Sequence, residues 1–326
     1  MARQTRPLLT APRRRPRQIL LASLTALGLA ATGQAQTVTL QRAPSGHLTL
    51  PVQIDNTGPY TFLLDTGASN TAIAQPVAEA LGFHSAWEDV DDVQSLTTLF
   101  SAERFTLHDL RIAGIEPMEL NSVVIPVADD EPRPVAGLLG ADAMTSPHYR
   151  IDFAAGELTL DAPLPEHADG RVHARNLLIG WADLARGTRG VRVMLDSGSA
   201  RTLVNERLRS RVLNRSGGVV YHVGGVEGRR LAEDDVEAHT VVLRELAIGG
   251  LCLNSVIGLQ ADLDIFQALD WGNMPAMVIG MDVLEHAIVT IDRDTGTFEL
   301  SAADPADACP GDQRVQVRAD DEAGTR

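Results

Sequence analysis

The pattern of apolar and polar residues predicts a chain built mainly of short β-strands. Residues 47–54 alternate apolar and polar side chains, the turn residues 56–59 interrupt them, and residues 60–64 form an apolar run. Alternation with a period of two is typical of a half-buried strand, and the Asn-Thr-Gly-Pro break predicts a hairpin. Helical signals are short, around residues 75–81 and 205–213. We therefore expect an all-β protein with a few short helices.

The chain contains two copies of one sequence unit. The stretch Phe-Leu-Leu-Asp-Thr-Gly-Ala-Ser at residues 62–69 returns as Val-Met-Leu-Asp-Ser-Gly-Ser-Ala at residues 193–200. Gly-Leu-Leu-Gly-Ala-Asp at residues 137–142 returns as Met-Val-Ile-Gly-Met-Asp at residues 277–282, and an Ile-Asp pair follows each of them. Because the matches occur in the same order in both halves, they predict two tandem lobes of similar structure.

The repeat divides the chain into segments of different composition. Residues 36–162 and 171–302 form the two predicted lobes, and residues 163–170, with Pro and Gly, form the linker. Residues 303–326 are rich in Ala, Asp, Pro and Gly, and we expect an acidic, disordered tail there. Residues 1–35 combine six arginines, no acidic residue and a short apolar run, which is the pattern of a secretory signal peptide.

Charge and export narrow the classes of function. Without the six arginines of the signal peptide, 22 basic residues stand against 43 acidic ones, a net charge of −21. Such an acidic surface repels nucleic acids and anionic lipids, so neither is an expected partner. The signal peptide predicts a periplasmic or secreted protein with no membrane span after cleavage, since no later apolar run reaches about 18 residues. A chain anchored by its uncleaved apolar run is the alternative.

Cysteine and histidine usage gives no sign of a metal site. Cys252 and Cys309 could pair in an oxidising compartment, but two free thiols fit the sequence equally well. The nine histidines are scattered, and no Cys cluster or close His pair has the spacing of metal ligands. We therefore predict a protein that uses no metal.

The two motif copies resemble a known family. An apolar run into Asp-Thr/Ser-Gly, a later apolar-apolar-Gly segment and a final Ile-Asp followed by Gly are similar to the aspartic protease superfamily. The unit size resembles the bacterial retropepsin-like aspartyl proteases, and the resemblance covers both lobes. It implies an all-β, bilobal acid protease fold that works as a monomer, because one chain supplies both halves of the site. It also implies that Asp65 and Asp196 form a dyad that hydrolyses internal peptide bonds with an activated water molecule, without a cofactor.

The resemblance assigns supporting roles to the neighbours of the two aspartates. Thr66 and Ser197 match hydroxyl residues that hydrogen-bond across the lobe interface. Gly67 and Gly198 match the glycines that leave room for close backbone approach and supply N–H groups near the carboxylates. These four residues are therefore expected to hold the two carboxylates in one plane.

The next position differs between the lobes. The first lobe has Ala68, whereas the second has Ser199, which matches a hydroxyl that hydrogen-bonds the adjacent carboxylate in pepsin-like members. A hydrogen bond to a carboxylate favours its ionised form. We therefore predict that Asp196 is more often ionised and that Asp65 more often holds the shared proton.

A flap that closes over bound peptide is expected after each aspartate turn. In the second lobe, Gly224, Gly225 and Gly228 suit a mobile hairpin tip and are the candidate flap. The matching residues 93–98 of the first lobe contain no glycine. The sequence therefore leaves open which lobe covers the substrate.

Other interpretations of the same residues give rival functions. Asp142 and Asp282, each after a Gly, predict helix caps rather than catalytic groups. A serine hydrolase with Ser197 as nucleophile would need a His in a recognisable base motif, and none is found. A catalytically silent bilobal protein that binds peptides, or serves as a scaffold in the cell envelope, is the rival from another class. The presence of both aspartates favours the protease.

Overall fold

A computed structural model of the chain covers most of the sequence after the predicted signal peptide. The described residues are 35–85, 89–112, 115–126, 135–173, 175–212, 215–222, 235–261 and 263–317. The predicted signal peptide, apart from its last residue, lies outside this set, as do Gly224, Gly225 and Gly228 and residues 318–326. Among the described helices, none has the length and apolar character that crossing a membrane requires.

The described residues of the first lobe form strands, one short α-helix, α1 (Gln75–Ala80), and a 3-10 turn at Ala141–Ala143. The predicted hairpin before the Asp-Thr-Gly turn is present as the third and fourth strands. The strands of this lobe are β1 (Gln36–Thr39), β2 (Gln41–Arg42), β3 (Leu48–Ile54), β4 (Thr57–Leu64), β5 (Ala72–Ala74), β6 (Val90–Gln94), β7 (Leu99–Ile112), β8 (Met118–Ile125), β9 (Gly137–Leu139), β10 (His148–Asp152) and β11 (Glu157–Leu160).

The second lobe repeats this composition of strands and short helices. Its helices are α2 (Glu206–Arg209), α3 (Asp264–Ala268) and α4 (Met281–Leu284). Its strands are β12 (Gly170–Val172), β13 (Leu178–Leu184), β14 (Thr188–Leu195), β15 (Leu203–Val204), β16 (Arg215–His222), β17 (Asp235–Ile248), β18 (Leu251–Gln260), β19 (Ala276–Ile279), β20 (Ala287–Asp292) and β21 (Thr297–Ala302).

Six strands of each lobe close into a ring through the same set of pairings. In the first lobe the order is β3-β4-β9-β5-β8-β7, and β7 pairs back to β3. In the second lobe the order is β13-β14-β19-β15-β18-β17, and β17 pairs back to β13. Alternate side chains enter the core, as in β3, where Leu50, Val52 and Ile54 are buried and the residues between them are exposed. The predicted all-β, bilobal class is confirmed.

A sheet that both lobes share joins them. β1, β11 and β10 of the first lobe continue directly into β20, β21 and β12 of the second. β10 pairs antiparallel with β20, and the buried side chains of Tyr149 and Ile291 lie opposite each other in this pair. One apolar cluster contains side chains of both lobes. The two halves of the site are therefore attached to one continuous core.

The segment after β21 is ordered, although disorder was predicted from residue 303. Cys309 forms a disulfide with Cys252 of β18, with 4.9 Å between their Cα atoms. The guanidinium of Arg314 donates a hydrogen bond of 2.9 Å to the buried carboxylate of Asp169. The prediction of disorder is wrong for residues 303–317, because a disulfide and a buried ion pair replace the apolar core that the segment's composition lacks.

Candidate active site

The two aspartates leave equivalent pairs of parallel strands. β4 runs parallel to β9, and β14 runs parallel to β19. The N–H of Asp65, directly after β4, donates to the carbonyl oxygen of Leu139 at 3.0 Å. The N–H of Asp196, directly after β14, donates to that of Ile279 at 2.9 Å. Each Asp-Thr/Ser-Gly turn therefore presents its carboxyl group from the same place in its lobe.

Thr66 and Ser197 join the two turns by four hydrogen bonds. The N–H of Thr66 donates to Ser197 Oγ, and the N–H of Ser197 donates to Thr66 Oγ1, both at 3.0 Å. Thr66 Oγ1 also donates to the Leu195 carbonyl oxygen at 3.0 Å, and Ser197 Oγ donates to that of Leu64 at 2.7 Å. Every bond crosses from one lobe to the other. The strand ends that carry the aspartates are thus fixed relative to each other.

This role of Ser197 is incompatible with a serine hydrolase. The side chain is completely buried, and its hydroxyl proton is donated to a backbone carbonyl. A nucleophilic serine needs an accessible oxygen and a base that accepts its proton. The rival in which Ser197 attacks the substrate is therefore excluded.

The two glycines bring each carboxyl group against the opposite lobe. Gly67 N–H donates to Asp65 at 2.8 Å, and Gly198 N–H donates to Asp196 at 2.9 Å. A Cβ atom placed on Gly67 would lie 2.5 Å from the carboxyl carbon of Asp196. A Cβ atom on Gly198 would lie 2.5 Å from an oxygen of Asp65. Each aspartate therefore packs on the glycine of the other turn, which leaves no space for a larger residue.

Burial and mutual repulsion change the acidity of the two carboxyl groups. Asp65 is 9% exposed and Asp196 is 4% exposed. Burial raises the pKa of Asp65, although hydrogen bonds from the Gly67 N–H and from Asp196 partly oppose the rise. Burial raises the pKa of Asp196 well above its usual value, and the negative charge of Asp65 raises it further. Both carboxyl groups therefore have a raised pKa, and the pair can keep one shared proton over a range of pH.

The hydroxyl of Ser199 does not form the hydrogen bond to Asp196 that the sequence predicted. The hydroxyl of Ser199 donates to the carbonyl oxygen of Arg201 at 2.8 Å, so its single proton is not directed at Asp196. The backbone N–H of Ser199 does lower the pKa of Asp196, but burial and the charge of Asp65 have larger effects. Sequence position alone could not show which of two nearby acceptors the hydroxyl would choose.

Thr71 and Asp142 form a hydrogen-bond network next to the turn that carries Asp65. Thr71 Oγ1 donates to Asp142 Oδ1 at 2.7 Å, and its N–H donates to the same oxygen at 2.9 Å. The N–H of Gly140, directly after β9, donates to Thr71 Oγ1 at 3.2 Å. Since β9 also holds the backbone of Asp65, this network connects the turn, β5 and the end of β9.

The second lobe has the equivalent hydrogen bonds, which corrects the prediction that Asp142 and Asp282 cap helices. Thr202 Oγ1 donates to Asp282 Oδ1 at 2.7 Å, and the N–H of Gly280 donates to Thr202 Oγ1 at 3.3 Å. The helical turns after Gly140 and Gly280 have no side-chain cap. The sequence analysis missed these hydrogen bonds, although one signal could have pointed to them, since a Thr follows each of Asp65 and Asp196 by six positions.

The first lobe contains a hairpin in the position of a flap. β6 and β7 pair antiparallel, with Gln94 opposite Leu99 next to the turn. Ser95 closes the turn, because its N–H donates to the Thr98 carbonyl oxygen at 2.9 Å and its Oγ accepts from the Thr98 N–H at 3.0 Å. The hydroxyl of Ser95 therefore stabilises the tight turn of this hairpin, in which the sequence has no glycine.

The described residues contain one group of side chains with the composition of a metal site. Oxygen or nitrogen atoms of His148, Asp292 and Asp294 lie within 4.8 Å of one another, at the end of the shared sheet. The oxygens of Asp292 already accept hydrogen bonds from the N–H of Asp294 and from the N–H and Oγ1 of Thr295. The arrangement is accounted for by a closed turn and its ion pair with the histidine.

Comparison with known proteins agrees with the geometry of the first lobe. Residues 50–143 match the family model described as aspartyl protease. The matched range contains Asp65 with its turn, β9 and Asp142, whereas Asp196 lies outside it. No curated protein matches the chain at a significant level. The family match and the all-β, bilobal architecture together support an aspartyl protease family for this chain.

Proposed function

We propose that the protein is an exported aspartic endopeptidase in which both catalytic aspartates come from one chain. The observation that carries this proposal is the position of two buried carboxyl groups, Asp65 and Asp196. Equivalent turns supply them, and each packs on the glycine of the opposite turn. Two buried carboxyl groups that share one proton at a lobe interface suit general acid and base work on one substrate.

The proposed reaction uses the two carboxyl groups in different protonation states. One carboxyl group of the Asp65–Asp196 pair, ionised, removes a proton from a water molecule while the water oxygen attacks the scissile carbonyl carbon. The other, protonated, donates its proton to the carbonyl oxygen, which gives a tetrahedral diol. The C–N bond then breaks as a proton passes to the leaving nitrogen, and the products are a carboxylic acid and an amine. No covalent enzyme intermediate is formed, and no metal or organic cofactor takes part.

The subclass is proposed from the duplication. The strand order of the first lobe recurs in the second, so one chain provides both halves of the site and a monomer suffices. We assign the chain to the retropepsin-like group with two tandem lobes, with peptide or protein as substrate.

The proposed location is the periplasm or the outside of the cell. The arginine-rich start followed by an apolar run supports export. The disulfide between Cys252 and Cys309 also supports it, because disulfides persist mainly in oxidising compartments.

The test is an assay of the protein from Gln36 onwards with a mixed library of linear peptides, between about pH 3 and pH 7. The wild type should cleave, and Asp65→Asn and Asp196→Asn should each lose at least about 100-fold in kcat/KM. Asp312→Asn, an exposed aspartate near the C-terminus, is the matched control and should keep full activity.

Two results would argue against the proposal. Cleavage that survives in both dyad variants would remove the dyad from the mechanism. Peptide binding without cleavage by any of the four proteins would favour the silent bilobal binding protein instead.

A further inference from the structure

His47 is a buried imidazole that the proposed reaction does not use. It lies directly before β3 in the first lobe and is 3% exposed. Its Nδ1 is 2.9 Å from Ser45 Oγ, whereas its Nε2 is buried and has no hydrogen-bond partner among the described residues. A buried polar atom without a partner destabilises the fold, so its presence calls for an explanation.

The ring of His47 lies against the turn that carries the second aspartate. Contact with the backbone of Gly198 raises the pKa of His47, although burial lowers this pKa by more. A group that raises the pKa of an imidazole accepts a hydrogen bond from it, so the contact is with the carbonyl oxygen of Gly198. Because Ser45 occupies Nδ1, Nε2 is the ring atom that faces this carbonyl oxygen.

Gly198 contacts both members of the dyad. Its N–H donates to Asp196 at 2.9 Å, and a Cβ atom placed on it would lie 2.5 Å from a carboxyl oxygen of Asp65. A movement of this glycine therefore shifts a hydrogen bond of one carboxyl group and changes the space left to the other. Since His47 belongs to the first lobe and Gly198 to the second, their contact acts across the lobe interface.

The second lobe has an apolar residue at the position of His47. Leu177, which is buried, lies directly before β13 as His47 lies before β3. A leucine side chain has no proton to donate and does not titrate. The two aspartate turns therefore differ, because an imidazole faces the backbone of only the second.

The link from His47 to the dyad passes through the backbone. The charged groups on the elements next to His47 are Arg42, in β2, and the two aspartates beyond Gly198. Burial and the Gly198 backbone account for the shift in the pKa of His47, and none of these three charges contributes to it. A change in the protonation of His47 therefore reaches the carboxyl groups by way of Gly198.

On the basis of the proposed function, we propose that His47 is a positioning residue of the dyad, which holds the Gly198 turn when its imidazole is protonated. Both nitrogens of a protonated imidazole donate, here Nδ1 to Ser45 Oγ and Nε2 to the carbonyl oxygen of Gly198. The second bond restrains the turn of Asp196 under acidic conditions, in which a pair of carboxyl groups shares one proton. A charged ring is costly to bury, so the protein loses stability where it gains activity.

An NMR titration tests the contact without an assay of activity. The ring signals of His47 and the carbonyl carbon of Gly198 should titrate with one midpoint, below about pH 6.5. The carbonyl carbon of Gly67, the equivalent glycine of the first turn, should lack this midpoint. In His47→Gln, whose side chain does not titrate, the Gly198 signal should lose the midpoint and keep only the changes caused by the dyad.

Peptide cleavage tests the consequence. The ratio of kcat/KM in His47→Leu to that of the wild type should fall about tenfold between about pH 7 and pH 4, because a hydrogen bond from a charged donor is lost. His47→Gln keeps a neutral N–H donor, so its ratio to the wild type should vary much less over this range. His84→Leu replaces an exposed histidine of the same lobe and should follow the wild type at every pH.

The outcomes separate this inference from the proposed function. If the Gly198 signal does not follow His47, or if the ratio for His47→Leu is constant with pH, His47 does not position the dyad, although the protein cleaves peptides. Circular dichroism of the same samples measures the folded fraction, and an activity that falls only as this fraction falls would also overturn the inference. Absence of cleavage by every form would overturn the proposed function and the role in catalysis together, while a shared midpoint would still show the hydrogen bond.

Discussion

Thr66 and Ser197 exchange hydrogen bonds across the lobe interface, the N–H of each donating to the side-chain oxygen of the other at 3.0 Å. The same two hydroxyl groups donate to the carbonyl oxygens that precede the facing aspartates. The exchange joins the N–H and hydroxyl groups of these two residues to the carbonyl oxygens of Leu64 and Leu195, next to the two aspartates. The two hydroxyl groups therefore help to fix the position of one carboxyl group relative to the other.

Ser197→Ala should destabilise the fold and weaken catalysis. The change leaves the N–H of Thr66 and the carbonyl oxygen of Leu64 without their partners in a buried interface. An unpaired buried polar group costs about 1–3 kcal/mol, so the free energy of unfolding should fall by roughly 2–4 kcal/mol. Denaturant titration of the variant and the wild type measures this fall.

The control is Ser197→Thr, which keeps the hydroxyl and places in the second lobe the residue that the first lobe has. It should recover most of the stability that the alanine variant loses. If the Ser197→Ala and Ser197→Thr variants are equally stable, the hydrogen bonds of this hydroxyl do not hold the lobes together.

The repeat in the sequence was sufficient to predict that Asp65 and Asp196 occupy equivalent turns, because both copies have the same apolar strand, turn and glycine. It was not sufficient for interactions between distant segments. Thr71 and Asp142 are 71 positions apart, and Asp169 and Arg314 are 145 apart. The repeated Thr marks one side of the first pair without identifying its partner, and the second pair lies outside the repeat. The hydrogen bonds of Thr71 with Asp142 and the ordered C-terminal segment were therefore both missed.

Gly67→Ala should abolish most activity, although the backbone of Gly67 is not in the left-handed region that favours glycine. A methyl group there would lie 2.5 Å from the carboxyl carbon of Asp196, so the two turns would have to separate. Displacement of a catalytic group by about 1 Å can reduce the rate by about 100-fold. We expect a loss of that size in kcat/KM for Gly67→Ala, and the same for Gly198→Ala, whose methyl group would meet Asp65.

Gly311→Ala is the matched control, since a methyl group there meets nothing within 4 Å. It should leave kcat/KM unchanged. Full activity in Gly67→Ala would mean that the dyad tolerates separation, or that the two carboxyl groups do not act together.

Asp196→Asn should stabilise the fold at neutral pH and not at acidic pH. Burial and the charge of Asp65 raise the pKa of Asp196 well above 3.8. Such a group stabilises the folded state below its unfolded pKa, and this contribution is lost as the pH rises through the folded value. An asparagine cannot ionise. The variant should therefore have a higher Tm than the wild type near pH 7, and this difference should shrink towards about pH 3.

Scanning calorimetry at several pH values, with Asp312→Asn as the control, measures the effect. The control should follow the wild type throughout, because that side chain is exposed. A Tm difference that stays constant from acidic to neutral pH would show that Asp196 carries no raised pKa.

The contribution of His47 to stability should change with pH in the opposite direction to that of Asp196. The ring is 3% exposed and accepts or donates one hydrogen bond of 2.9 Å with Ser45. Burial lowers the pKa of His47, and contact with the Gly198 backbone only partly offsets this. A histidine with a lowered pKa leaves the fold at full stability above about pH 6.5, and stability is lost as the pH falls below that value.

The second lobe offers the substitution that tests this prediction. Leu177, buried, precedes β13 as His47 precedes β3. His47→Leu should therefore pack without a titrating ring, and its Tm relative to the wild type should rise as the pH is lowered from about 8 to about 5. His47→Gln keeps a polar side chain without the charge and should show the same trend. Parallel Tm curves for all three proteins would mean that acid does not act on stability through His47.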